Sequence, residues 1–146
     1  MYRFHDPLSI LLILLLLGLN SCNKKIASSE LPATQIIFGN GGGFVGKETA
    51  FALLEDGRII ALQRDSPTLK IVKKVGKKAA TTTFALRDTL KLGSRLQNSP
   101  GNVYHFIILK TANRKDHKIA WDSGDPRTAP ADLEGFYKKL IGFVSK

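Results

Sequence analysis

The twelve residues from Leu8 to Leu19 are all Leu or Ile except Ser9 and Gly18, and no later stretch of the chain is as apolar. Arg3 and the N-terminal amine supply positive charge just ahead of it. A helix needs roughly 20 apolar residues to cross the hydrocarbon core of a bilayer, so this block is too short for a comfortable permanent span. Its length and charged flank match the apolar region of an export signal. Taking residues 1–21 as that signal leaves about 125 residues, which is enough for one modest core and excludes a multidomain enzyme.

The block ends in Leu19-Asn20-Ser21-Cys22. This resembles a bacterial lipobox, with an aliphatic residue three before the cysteine and a small residue just before it. The resemblance implies that the Cys22 thiol receives a diacylglyceryl group and that the chain is cut in front of it. It also implies a further acyl group on the new amine. One acyl chain holds a protein only marginally, whereas two or three on one residue give a lasting anchor. The expected partner of Cys22 is therefore membrane lipid, and the expected location is the bacterial cell envelope, facing the periplasm.

Cys22 is the only cysteine. Once it is acylated, the domain has no thiol nucleophile, disulfide or thiolate metal ligand. Of the three histidines, His5 leaves with the signal, and His105 and His117 show no HExxH-like spacing. No metal, cofactor or catalytic residue is expected. The chain carries a net charge of +10, and removing Arg3 and Asp6 with the signal does not change it. A domain so basic is drawn to anionic surfaces. Outside the cytosol those are headgroups and acidic glycans, so no nucleic-acid partner is expected, and no aromatic-interleaved basic strand suggests one.

Residues 22–34 read as the acylated cysteine and a polar, Pro-containing tether, with a single domain over 35–146. Gln35 to Phe38 predicts a short strand stopped by Gly39, and Lys47 to Leu54 and Arg58 to Gln63 predict a hairpin around Asp56-Gly57. Leu69 to Val72 predicts a brief strand. A helix is expected over Lys77 to Lys91, with Ala79, Thr83, Leu86 and Leu90 inward and Gly93 closing it. Val103 to Lys110 is strongly β-prone and pairs with Ile119 to Trp121. Leu133, Phe136, Tyr137, Leu140, Ile141 and Val144 recur at helical spacing behind Pro130. The fold class predicted is α+β: an antiparallel sheet of about five strands, with two helices packed on one face.

Gly41-Gly42-Gly43-Phe44-Val45-Gly46 matches G-x-G-x-x-G. A dinucleotide loop must open a helix whose amides meet the pyrophosphate. Here an alternating segment follows, so the glycines read as a strand connection needing positive φ, with Phe44 folded back as a plug. The competing reading is a recognition loop whose bare amides admit a partner's backbone or carboxylate. The order of elements around this loop is similar to the emfourin family, small bacterial inhibitors of thermolysin-like metallopeptidases, which implies a peptidase partner reached through Gly41, Gly42, Gly43, Phe44, Val45 and Gly46. The loop and the run Pro100-Gly101-Asn102-Val103-Tyr104 to Trp121 also resemble small bacterial lipoproteins of unassigned function.

Lys70, Lys73, Lys74, Lys77 and Lys78 recur at the spacing of one helical face and form a candidate anionic-surface contact. Asp122, Asp125 and Asp132 fail the EF-hand spacing and read as loop and helix-start acids. Glu48, Glu55 and Asp56 read as solvated turn acids, and Tyr104 and Trp121 as a cross-strand stack. A hydrolase reading would need His105, His117 and an aspartate to converge. The function expected is a non-enzymatic, lipid-anchored binding module. The alternative is an inhibitor acting through the glycine loop.

Overall fold

The computed structural model describes residues 24–44 and 46–145. Eight strands form one sheet: β1 (Lys25–Ala27), β2 (Gln35–Gly42), β3 (Thr49–Leu54), β4 (Arg58–Leu62), β5 (Thr68–Lys74), β6 (Asn98–Ser99), β7 (Val103–Lys110) and β8 (His117–Asp122). Among the described residues two α-helices accompany the sheet, α1 (Lys77–Thr89) and α2 (Ala131–Val144). The strand order is β1-β5-β4-β3-β2-β7-β8-β6. Six of the pairings are antiparallel, and β6 lies parallel to β8.

The expected five-strand antiparallel sheet is thus corrected to a mixed sheet of eight. Two strands account for most of the difference. β1 lies in the stretch read as tether, where Ile26 is its one buried residue, and it becomes a strand by pairing with β5. Polar β6 pairs with β8 through Asn98 and Ser99, and Ala120 N–H donates to the Gln97 carbonyl beside them at 3.0 Å. β2 also runs further than Phe38. Its glycines stay in the ladder because β3 and β7 pair with it on both sides through Asn40. A side chain at Gly39 would meet the Thr49 carbonyl at 2.0 Å, so only glycine keeps that register.

Alternation along the strands separates two buried clusters. Ile36, Phe38, Leu53, Ile59, Ile107, Leu109, Ile119 and Trp121 face both helices. α2 contributes Leu133, Phe136, Tyr137 and Leu140, the stripe its spacing predicts. α1 buries Ala80, Thr83 and Phe84, so its inward face is shifted from the expected one, with Leu86 and Leu90 at the margin. It ends at Thr89, short of the expected Lys91, and the left-handed residue that follows is Lys91, with a φ of 52°, rather than Gly93.

The opposite face buries Ile26, Ile37, Ala52, Leu54, Ile60, Leu69, Phe106 and Ala120. The connection from β1 to β2 has to pass β5, β4 and β3, and its Leu31 packs on this second cluster. Gln35 is buried where the connection lands and donates to the Pro32 carbonyl at 2.6 Å.

Candidate functional site

The turn between β2 and β3 is built from glycines because its backbone demands them. Gly42, Gly43 and Gly46 have φ of 95°, 75° and 61°, a region that L side chains occupy only at a cost. Gly43 N–H donates to the Asn102 carbonyl at 2.7 Å, and Gly46 N–H to the Gly43 carbonyl at 3.0 Å. The turn is therefore tied to the entry of β7. A side chain at Gly42 would meet the Asn102 carbonyl at 2.0 Å, and one at Gly41 would meet the Tyr104 hydroxyl at 2.7 Å.

Phe44 is not the plug expected of it. Its exposure is 107% of the fully accessible value, so the ring touches almost nothing of its own domain. The reason is geometric: successive left-handed residues turn the chain outward while Asn102 holds its base. Val103, opposite Gly42 in the ladder, adds a second exposed apolar side chain, and Val45 lies outside the described residues.

Two polar clusters lie beneath this end of the sheet, one on each face. Tyr104 donates to Glu48 Oε1 at 2.6 Å, Lys118 Nζ stands 3.9 Å from the same oxygen, and Lys118 overlies the Tyr104 and Phe106 rings. The bond to Glu48 raises the Tyr104 pKa, with burial adding to it. Tyr104 and Trp121 do not stack. The register pairs Trp121 with His105 and sends Tyr104 to the other face.

On the helical face, His105 stacks on Tyr137 at 4.3 Å and meets Trp121 edge-on at 5.7 Å. Trp121 Nε1 donates to Glu134 Oε2 at 3.0 Å, and His105 Nδ1 lies 4.0 Å from that oxygen. Burial holds the His105 pKa below its ordinary value, partly opposed by Glu134 and assisted by Lys138. Its Nδ1 is buried without a hydrogen-bond partner. Burial also pushes the Tyr137 pKa up to about 12. A cavity of about 500 Å³ lies alongside, lined by Trp121, Asp122, Glu134 and Lys138 among others. Composition and motif gave no sign of this cluster, but the alternation of His105 with buried Ile107 and Leu109 does place the imidazole on the helical side.

His105 and His117 share that face but not a site. They stand four ladder positions apart, about 13 Å at roughly 3.3 Å per residue. His117 Nε2 is bonded to the Arg95 carbonyl at 2.8 Å. The aspartates do not converge either. Asp125 holds Arg127, Asp132 holds Arg95, and Asp122 accepts from Gly124 N–H. Asp56 pairs with Arg58 at 2.7 Å, and Glu55 is an exposed turn residue.

The five candidate lysines do not form one helical face. Lys70, Lys73 and Lys74 lie on β5 and only Lys77 and Lys78 on α1, because Gly76 ends the strand and caps the helix. Cys22 lies outside the described residues. Among the described residues no helix is long and apolar enough to cross a membrane. No family model matches the chain, and no curated protein matches it.

Proposed function

We propose that this chain is a lipid-anchored protein of the bacterial cell envelope, a non-enzymatic module that binds a protein partner through the Gly41 to Gly46 turn. The observation carrying this reading is Phe44, a fully exposed aromatic ring at the tip of a turn whose base is bonded to Asn102. Aromatic anchors dominate binding energy when they enter a partner's pocket, and a turn already held in shape loses little entropy on docking. Leu19-Asn20-Ser21-Cys22 supports anchoring at Cys22 and a domain facing the periplasm.

The test is capture from the native envelope by chemical crosslinking. Wild-type protein should retain a partner that Phe44→Ala loses, and Cys22→Ala should free the protein from membranes and abolish acyl labelling. Equal capture by wild type and Phe44→Ala overturns the loop reading, and unchanged membrane retention of Cys22→Ala overturns the anchor. The similarity to emfourins names one partner class to try directly. Inhibition of secreted metallopeptidases by wild type but not by Phe44→Ala would identify the partner as a peptidase.

A further inference from the structure

We infer that the basic edge made by β1, β5 and the first turn of α1 docks on the anionic headgroups of the bilayer to which the chain is fastened. The inference rests on anchoring at Cys22 and extends it from attachment to orientation.

The register brings these charges together. Lys25 lies opposite Lys70, and the Lys24 carbonyl accepts from Ile71 N–H at 3.0 Å. The chain thus leaves the sheet toward Cys22 at the same edge that carries the β5 lysines. Gly76 then turns the chain so that Lys77 and Lys78 open α1 a few residues beyond Lys74. Among the described residues Lys24, Lys25, Lys70, Lys77 and Lys78 make no ion pair with a carboxylate, whereas Lys110, Lys118 and Lys138, on other elements, do. Two acids beside this edge are engaged: Asp56 by Arg58, and Glu30 by the Ala27 N–H.

A guard against edge-to-edge pairing explains lysines on a border strand. It does not explain Lys77 and Lys78, which stand at the positive end of the α1 dipole, in a first turn with no acid. Two cations there work against the helix unless negative charge approaches from outside. An anionic bilayer supplies it, and each lysine near such a surface strengthens partitioning about fivefold. Docked in this way, the domain carries the Phe44 turn on β2, four strands from β1 and roughly 19 Å along the sheet at about 4.8 Å per strand, clear of the headgroups.

Lysine acetylation footprinting of the full chain tests this without altering the fold. The protein is reconstituted in vesicles of phosphatidylcholine alone or of phosphatidylcholine with phosphatidylglycerol. Lys70, Lys77 and Lys78 should acetylate about fivefold more slowly on the anionic vesicles and recover in high salt, as screening requires. Lys110 and Lys118 should react alike on both. Equal rates for Lys70, Lys77 and Lys78 on the two vesicle types overturn the inference, as does protection on neutral vesicles. The mass of the Cys22 peptide in the same spectra reports acylation, so failure of the anchor and failure of the docking edge are read separately.

Discussion

The Tyr137 hydroxyl donates to the Gly39 carbonyl at 3.1 Å, across a buried junction between the closing helix and the strand that carries the glycine turn. One hydrogen bond thus ties the closing helix to the strand that leads into the glycine turn. Removing it with Tyr137→Phe leaves the Gly39 carbonyl without that donor and is expected to destabilise the fold by about 1–2 kcal/mol. A melting temperature lower by roughly 4–8 °C checks this.

The same residue predicts an alkaline dependence. Burial first, and then Glu134, raises the Tyr137 pKa from 10.0 to about 12 in the fold, so the neutral phenol is the form that folding favours. Its contribution is complete below the unfolded value and is lost as pH rises from 10 to 12. Denaturation midpoints should fall more steeply across that window for wild type than for Tyr137→Phe. Parallel curves would count against the burial of the phenol.

His105 gives the acidic counterpart. Burial depresses its pKa, so the neutral ring is favoured, and its contribution is present above the unfolded value near 6.5 and lost as pH falls through the folded value. Stability should decline in mildly acid solution, and His105→Gln should flatten that decline. An NMR titration placing the His105 midpoint above 6.5 would overturn the argument.

Gly42 and Gly43 both have positive φ but differ in surroundings. A Cβ at Gly43 meets nothing within 4 Å, whereas at Gly42 it would strike the Asn102 carbonyl. Gly43→Ala should cost about 1 kcal/mol for its backbone alone, and Gly42→Ala about 3 kcal/mol or more, since the backbone it strikes cannot swing aside. Urea denaturation of the two variants side by side gives the comparison.

Phe44→Ala should leave stability within about 0.5 kcal/mol of wild type, because the ring is wholly exposed. Unchanged thermal melting with lost partner capture separates recognition from folding, and a large drop in stability would show that the ring packs in solution.

Several elements were legible in residue order because their signals are local. The stripe from Leu133 to Val144 gives α2 without reference to anything distant, and Asp56-Gly57 gives the β3–β4 hairpin, where Gly57 takes a φ of 87°. The glycine run announced a turn, and its left-handed residues agree. The direction of Phe44 was not legible. It depends on the bond from Gly43 to Asn102, between residues 59 positions apart, and no pattern of neighbours encodes it. The lysine spacing of 3, 4, 7 and 8 suits one helical face only if the backbone is helical throughout, and the strand read at Leu69 to Val72 with the helix read from Lys77 already divides it, with Gly76 capping the helix.

By itself the amino-acid order determined the α+β composition, the closing helix, the central β-prone segments and the lack of any thiol beyond Cys22, all of which follow from side-chain type and short-range periodicity. Only the tertiary structure decided that Lys25 meets Lys70, that Asn98 and Ser99 join β8, and that His105, Trp121 and Tyr137 share one site. Such pairings draw their stability from partners far along the chain. A strand of two or three residues has too little local free energy to declare itself before the sheet it joins exists.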